Sequence, residues 1–348
     1  MNERMTQRVN ALVKLGETLR DDPTLPDIMS RAASMNPWFT EEFTKFAVAG
    51  IIDKMLTRTK LNEWLSRYEL TADAPDTRTV GIIMAGNLPL VGFHDFLCAY
   101  VAGCGIKAKL SGKDDILFPY VYAKLLEIDP ALREYSSVIE MLEGFDAVIA
   151  TGSNNTNRYF EYYFRDYPKI LRRNRSSVAI LSGSETDEEL SGLADDVFMY
   201  FGFGCRNVSK LYVPEDYDIT ILFPHFEKYK WLHNHTKYMN NYDYNRTLLL
   251  MNRTEHLANE IVMIEENQSI SSPVSVLYFE RYENVKTLQE KLKEKEDSIQ
   301  CIVAGNVIEN ELDRLNVVKF GQTQSPELWD YADNVDTLDF LFSLKSLH

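Results

Sequence analysis

The spacing of hydrophobic residues from position 1 to about 70 is that of amphipathic helices. Val9, Leu12 and Leu15 follow one another at three-residue intervals, and the segment 37–56, PWFTEEFTKFAVAGIIDKML, repeats a helical periodicity. The next segment, 71–78, reads TADAPDTR and is polar with a proline. We therefore predict an N-terminal helical segment that ends in a linker.

After the linker, short continuous apolar runs alternate with segments that have helical spacing. Continuous apolar strands separated by helices are typical of a parallel sheet that is covered on both faces. This pattern predicts an open doubly wound sheet, which binds ligands beyond the carboxyl ends of its strands. The predicted strands are 79–86, 106–112, 136–142, 145–152 and 176–184.

The last third of the chain predicts a second α/β lobe. The fold class is therefore α/β with two lobes, and we expect two domains. The first, 1–200, combines the helical segment with a cofactor-binding domain. The second, 201–348, is a catalytic domain that begins with the loop around Cys205, and its C-terminal tail packs back on the first domain or on a partner subunit. The further elements are predicted strands at 210–224, 271–283 and 299–305 and a helix at 286–298.

Composition narrows the class of protein. Apolar residues make up 45% and charged residues 26%, as in soluble globular proteins. The formal charge of −15 argues against nucleic acid and anionic membranes as partners. The N-terminus has no apolar signal core and no run of 18 apolar residues occurs, so we expect a cytoplasmic protein without membrane insertion. The scattered cysteines and the isolated His-Asn-His at 233–235 predict no disulfide framework and no metal site.

Two residues could take part directly in chemistry. Asn87 follows the first predicted strand in AGNLPLVG and is either a turn residue or an amide donor to a developing oxyanion. Cys205 lies in FGFGCRNVSKLYVP, beside Gly202 and Gly204. It is either a small packing residue or an accessible thiolate nucleophile.

Three segments could bind an anionic ligand. In KAKLSGKDD, at 107–115, Lys109, Ser111 and Lys113 are either a solvated edge or contacts to a ribose or phosphate. In ATGSNNTN, at 150–157, Gly152 and Ser153 open a helix, whose free N–H groups suit a phosphate, although Ser153 is equally a helix cap. The third is the densest basic cluster, a solvated face or an anion site, formed by Lys169, Arg172, Arg173 and Arg175.

In this order, AGNLP, KAKLSG, ATGS and FGFGC resemble the motif series of the aldehyde dehydrogenase superfamily over about residues 79–214. Two motifs of that superfamily are altered. The hydrolytic members carry Glu-Leu-Gly-Gly-Lys where this chain has LRRNR at 171–175, and the later Glu-x-Phe-Gly-Pro-Val is reduced to SISSPV at 269–274. Loss of the first glutamate resembles the acyl-CoA reductase branch, with the fatty acid reductases of bacterial bioluminescence. The segments 36–40 and 321–341 also look like that branch.

The resemblance implies a function. Cys205 would attack an acyl-CoA thioester, and its own N–H and the amide of Asn87 would hold the oxyanion, before a nicotinamide cofactor reduces the acyl-enzyme to an aldehyde. Lys109 and Ser111 would contact the adenosine ribose, and Gly152 and Ser153 the pyrophosphate.

The residue pair Gly112-Lys113 stands where NAD-preferring relatives often have Glu, which favours NADPH and leaves NADH possible. The basic cluster would serve the CoA phosphates. By the same resemblance we expect a homo-oligomer, a dimer or tetramer. The alternatives are an acyl-phosphate reductase of the same superfamily and a nucleotide- or CoA-binding module without catalysis.

Overall fold

The computed structural model describes residues 2–69, 78–310, 312 and 316–344, so the predicted linker lies outside it except for Arg78. The chain forms two compact units. The first unit comprises Met1–Arg173 and Pro326–His348, and the second comprises Asn174–Ser325. Within the described residues, no helix is long and apolar enough to cross a membrane.

The described residues ahead of the first strand are helical, as the sequence predicts, and form four α-helices. Three of them begin at a residue whose side chain caps the helix; for example, the Asn2 side chain accepts a hydrogen bond from the Met5 N–H. The predicted helix at 37–56 ends in a π-helical turn, Ile51–Met55. The four are α1 (Glu3–Arg20), α2 (Leu25–Met35), α3 (Glu41–Gly50) and α4 (Arg58–Leu65).

The first unit is built on a five-stranded parallel sheet with the order β3-β2-β1-β4-β5. Its central strand β1 pairs with β2 on one side and β4 on the other. This confirms the open doubly wound sheet. The strands are β1 (Thr79–Ile83), β2 (Gly105–Lys109), β3 (Ser136–Ile139), β4 (Ala147–Thr151) and β5 (Lys169–Arg172). The connecting helices are α5 (Phe93–Ala102), α6 (Leu117–Ile128) and α7 (Asn154–Tyr163), and α1 packs against α5 and α6.

The second unit has its own seven-stranded sheet, which confirms the second α/β lobe. The strand order is β12-β11-β6-β7-β10-β9-β8, with every pair parallel except β8–β9. The strands are β6 (Ser176–Ile180), β7 (Val208–Pro214), β8 (His256–Ala258), β9 (Met263–Glu266), β10 (Val276–Tyr282), β11 (Ile299–Ala304) and β12 (Val317–Val318). The helices are α8 (Asp187–Phe198), α9 (Phe223–Phe226), α10 (Thr236–Asn252), α11 (Val285–Glu294) and α12 (Asn306–Glu309).

Two boundaries differ from the sequence expectation. The second unit begins at 174 rather than 201, because β6 pairs with β7 and β11 of the second sheet. A continuous apolar strand fits either of two parallel sheets equally well, so the pattern alone could not assign β6. The predicted strand at 210–224 stops at Pro214, and Ile219–Leu222 forms a 3₁₀ turn, because the Asp218 carboxylate accepts the Thr220 N–H at 2.9 Å.

The C-terminal segment, with helix α13 (Thr337–Ser343), belongs to the first unit and packs against α5. Its Tyr331 hydroxyl accepts the Trp64 indole N–H at 2.7 Å and lies 2.6 Å from the Tyr68 hydroxyl. Tyr68 in turn donates to Asp336 at 2.7 Å. These buried polar contacts fix the tail on the N-terminal helices.

Candidate active site

The carboxyl ends of β1, β2 and β4 lie side by side in the first unit. The last residue of β1, Ile83, is in register with Lys109 of β2 and Ala150 of β4. The chain leaves β1 toward β2 and β3 and later crosses to the other side of β1 to form β4. The crevice at such a reversal of strand order is where doubly wound sheets bind ligands.

The loop that carries Asn87 is held against the loop that carries Ser111. Asn87 itself is exposed. Gly86 packs so closely that an added Cβ would lie 2.6 Å from the Ser111 Oγ. Leu90 has a left-handed backbone (φ 57°), and its N–H donates to Asp114 at 2.8 Å. The structure therefore brings the Asn87 loop and the predicted ribose-binding residues together.

The three residues predicted to meet the ribose occupy the end of β2 and the turn after it. Lys109 and Ser111 are half-buried, and Lys113 is exposed. The Ser111 Oγ accepts the Lys113 N–H at 3.3 Å. Nothing lies within 4 Å of a Cβ built on Gly112, so the space beside Lys113 is open.

Asp114 is buried directly behind this turn, and sequence analysis did not single it out. Burial raises the pKa of its carboxyl to about 6, against the opposing effect of backbone hydrogen bonds that include the Leu90 N–H. An acidic residue directly after a lysine is most simply interpreted as a surface charge, so its burial was not apparent from the sequence.

The Gly152–Ser153 segment starts α7 at the same edge of the sheet. The Ser153 hydroxyl accepts the Thr156 N–H at 3.2 Å, so Ser153 is the N-cap that sequence analysis gave as the alternative to a phosphate contact. Gly152 is required by close packing, because an added Cβ would lie 2.9 Å from the Phe160 ring. The first turn of α7 is nevertheless the N-terminus of a helix, where a phosphate would meet the positive end of the helix dipole.

The basic cluster is dispersed, so the expectation of a single anion site there is wrong. Arg172 is buried and donates to both Asp95 carboxylate oxygens, at 2.6 and 3.2 Å. Lys169 donates to the carbonyls of Phe164 and Arg165. Arg173 pairs with Glu161 at 2.5 Å, and Arg175 belongs to the second unit, where it donates to two backbone carbonyls. The run of charges indicated a single surface segment, whereas 169–172 is a strand whose alternate residues are buried.

A separate cleft of about 740 Å³ lies at the opposite, amino-terminal edge of the first sheet. It is lined by α1, by Gly103 ahead of β2 and by Tyr135 ahead of β3. Arg8, which lines this cleft, donates to the Val101 carbonyl at the end of α5. The cleft and the predicted ligand-binding residues thus lie at opposite edges of the first sheet. The types of residue present favour the carboxyl edge as the candidate site.

Cys205 lies in the second unit, ahead of the amino end of β7. It is half-buried, whereas Cys98, Cys104 and Cys301 are fully buried. It occupies a tight turn, in which the Asn207 N–H donates to the Gly204 carbonyl at 3.0 Å. A partly exposed position in a defined turn fits a reactive thiol better than a packing residue.

The approach to Cys205 is strained. Tyr200, Phe201 and Gly202 all have left-handed backbone, with φ of 51°, 59° and 77°. A side chain in this region costs about 1–2 kcal/mol per residue, which only the glycine avoids. Burial of both aromatic rings offsets this cost, and the Phe201 ring packs 4.4 Å from the ring of His235.

His235, one of the two histidines noted in the sequence, is the N-cap of α10 and accepts the Tyr238 N–H at 3.1 Å. Across the described parts of the chain, no group of three or more His, Cys, Asp or Glu side chains could hold a metal ion.

No protein-family model matches the chain. A curated relative, the long-chain acyl-protein thioester reductase of Vibrio harveyi, is 24% identical over a match that covers 50% of this chain and 40% of the relative. The match thus spans less than half the length of that relative.

Solved structures with the same fold are aldehyde dehydrogenases. Aldehyde dehydrogenase 21 from Physcomitrella patens, in complex with succinate, has a TM-score of 0.70 at 12% identity, over 97% of this chain and 84% of that one. An indole-3-acetaldehyde dehydrogenase mutant of P. syringae, in complex with NAD⁺, has a TM-score of 0.68 at 11% identity (91% and 76% covered). An acetylating aldehyde dehydrogenase from Geobacillus thermoglucosidasius has a TM-score of 0.65 at 10% identity (98% and 90% covered). The chain therefore has the fold of aldehyde dehydrogenases and is similar over half of its length to an acyl-protein thioester reductase, which confirms the predicted resemblance at this level.

Proposed function

We propose that the protein reduces an acyl thioester to an aldehyde with a nicotinamide cofactor, and that Cys205 carries the acyl group. The observation that carries this proposal is the half-buried Cys205 in its hydrogen-bonded turn, on a fold shared with aldehyde dehydrogenases. The name of the curated relative, a thioester reductase, supports reduction as the direction.

The first step is acyl transfer. The Cys205 thiolate attacks the thioester carbonyl, forming a new C–S bond and a tetrahedral oxyanion. The oxyanion collapses, the bond to the leaving thiol breaks, and that thiolate takes up a proton as it departs. The N–H of Cys205 and the side-chain amide of Asn87 are the proposed oxyanion donors.

The acyl-enzyme must then be protected from water. At 171–175, where hydrolytic members of the superfamily carry a glutamate, this chain has Leu-Arg-Arg-Asn-Arg, which offers no carboxylate to activate a water molecule. The lack of this carboxylate favours reduction of the acyl group by hydride from the cofactor over hydrolysis of the acyl-enzyme.

The carboxyl edge of the first sheet fits a nicotinamide dinucleotide. In this proposal Ser111 and Lys109 contact the adenosine ribose, and the N-terminus of α7 at Gly152 and Ser153 binds the pyrophosphate. Open space at Gly112 beside the exposed Lys113 accommodates a 2′-phosphate, which favours NADPH over NADH. When bound, the reduced cofactor supplies the hydride that converts the acyl group to an aldehyde.

The proposed acyl donor is a fatty acyl-CoA. An acyl group on a carrier protein and an acyl phosphate are the competing donors. A single assay with one acyl chain on all three carriers, at equal concentration, separates them by kcat/KM. The expected homo-oligomer stays a prediction, which light scattering on the purified chain tests.

The decisive experiment replaces Cys205 by Ala and follows two signals. One is the oxidation of NADPH, and the other is the acylated peptide, which is detected by mass spectrometry. We expect both signals to disappear, while Cys104→Ser, at the buried start of β2, keeps them. Reduction that survives in Cys205→Ala would refute the covalent mechanism.

The cofactor assignment has its own test. Lys113→Ala is expected to raise KM for NADPH about tenfold and to leave KM for NADH nearly unchanged, because one charge–phosphate contact is lost. Equal changes for both cofactors would contradict the proposed role of Lys113.

A further inference from the structure

The peptide groups on both sides of Cys205 are each fixed by a hydrogen bond from a neighbouring residue. The Gly204 N–H donates to the Asn207 Oδ1 at 2.8 Å. The Gly204 carbonyl accepts the Asn207 backbone N–H at 3.0 Å. The Cys205 carbonyl accepts the Ser177 hydroxyl at 3.1 Å. Three consecutive peptide planes are thus held by Asn207 and Ser177.

The second of these bonds sets the direction of the Cys205 N–H. That N–H belongs to the same planar trans peptide as the Gly204 carbonyl, so the two point in opposite directions. Because the carbonyl points into the turn toward Asn207, the N–H of Cys205 points out of it. An N–H directed in this way is what a proposed oxyanion donor requires.

Asn207 is itself anchored in the body of the unit. It is 2% exposed, and the two N–H groups of its side-chain amide are shared among three carbonyls at the end of α8 and its C-cap, those of Asp196, Val197 and Met199, at 3.1, 3.4 and 2.8 Å. The first two carbonyls belong to the last turn of α8, where no further N–H of the helix is available to them, and the third belongs to the C-cap residue. The turn around Cys205 is therefore tied to the C-terminus of α8.

Ser177 is anchored by Cys301 on the neighbouring strand β11. Its fully buried hydroxyl oxygen accepts the Cys301 N–H at 3.3 Å and lies 3.1 Å from the Cys301 Sγ. A hydroxyl has one proton, so with that proton donated to Cys205 the thiol must be the donor to Ser177. Burial raises the pKa of Cys301 to about 11, which keeps its thiol protonated at neutral pH. The Cys301 thiol thus donates to the Ser177 hydroxyl, and the Ser177 hydroxyl donates to the Cys205 carbonyl.

We infer that Ser177 and Asn207 are positioning residues that aim the Cys205 peptide for acyl transfer. This inference rests on the proposed function of Cys205 as the acyl-accepting nucleophile. Neither residue touches the reacting atoms, and neither was apparent from the sequence, where a serine inside an apolar strand and an asparagine after Cys-Arg are unremarkable.

The test compares two reactions of the same thiol. Acylation by an acyl-CoA develops an oxyanion, whereas alkylation by iodoacetamide does not. In Ser177→Ala we expect acyl-enzyme formation, measured as the burst of released CoA, to slow about tenfold, because a misaimed donor loses part of the 10²–10³-fold that such a donor supplies. The KM for acyl-CoA and the alkylation rate should stay within about twofold of the wild type.

Ser209→Ala is the matched control, because the Ser209 hydroxyl on β7 likewise donates to a backbone carbonyl, that of Ile270, at 2.7 Å. Both rates should be unchanged in this variant. Ser177→Thr keeps the hydroxyl and should acylate within about threefold of the wild type. Asn207→Asp keeps the oxygen that accepts the Gly204 N–H but loses the donors to α8, and should lose more acylation than Ser177→Ala.

Two results would overturn the positioning role: acylation in Ser177→Ala at the wild-type rate, or acylation and alkylation falling in parallel, as in a loop that is merely disordered. A wild-type protein that alkylates at Cys205 but releases no CoA would instead refute the proposed function. The two failures are therefore distinguishable.

Discussion

Replacing Arg172 by Met is expected to destabilise the first unit by about 3–5 kcal/mol. Arg172 and Asp95 are both buried, with side chains 5% and 10% exposed. The guanidinium makes two hydrogen bonds to Asp95, one to the Ala332 carbonyl at 2.7 Å and one to the Thr337 hydroxyl at 2.7 Å. Without the arginine, the Asp95 carboxylate is left in an apolar interior with no counter-ion, which is the source of the cost.

Urea unfolding followed by tryptophan fluorescence measures this effect, because Trp38, Trp64 and Trp329 belong to the first unit. The midpoint should fall by about 1–2 M. Arg173→Met is the matched control: its ion pair with Glu161 is exposed, at 64% and 48%, and an exposed pair contributes about 0–1 kcal/mol. The double variant Arg172→Met with Asp95→Leu should recover most of the loss, because no charge is then stranded. If Arg172→Met costs no more than Arg173→Met, the buried pair does not stabilise the fold as argued.

Three further changes have expected outcomes. Burial raises the pKa of Asp196 from 3.8 to about 6, so the stability that its protonated carboxyl contributes is complete below pH 3.8 and is lost as the pH rises through 6. The unfolding free energy of the wild type, relative to Asp196→Asn, should therefore fall by up to about 3 kcal/mol between pH 4 and 7. A difference that does not change with pH would contradict this prediction. Gly86→Ala should weaken NADPH binding about tenfold in a fluorescence titration, because its Cβ would lie 2.6 Å from the Ser111 Oγ, whereas Gly50→Ala, with nothing within 4 Å, should bind normally. Tyr331→Phe removes the acceptor of the buried Trp64 N–H and should lower the unfolding free energy by about 1–3 kcal/mol; an unchanged urea midpoint would show that the tail contributes little through this contact.

The elements that the sequence predicted well are those that are indicated by a pattern of residues within the element itself. The strand β1 and the helix α5 after it are read from hydrophobic spacing, and the turn between them from Gly86 and Pro89. The roles that the family motifs give to Asn87 and Cys205 stay predictions.

Two residues that the sequence did not reveal, Ser177 and the buried Arg172, have partners far away along the chain. Ser177 reaches Cys205 over 28 positions and Cys301 over 124, and no local pattern encodes such a pairing. Arg172 was misjudged for the same reason: whether a positive charge is solvated or buried depends on Asp95, which lies 77 positions earlier. Long-range partners of this kind become visible only when the strands have been assembled.

The return of residues 326–344 to the first unit has a consequence for synthesis of the chain. Leu328, Tyr331 and Leu338 are part of the core of the first unit, yet they are made only after the whole second unit, Asn174–Ser325. At about 5–20 residues per second, the first segment of this unit, which ends at Arg173, waits roughly 8–30 s for them. During that interval Trp64 lacks the hydroxyl partner that it has in the finished protein. We therefore expect the second unit, although it follows in the chain, to finish folding first, with the first unit held for that time as an incomplete intermediate that chaperones can bind.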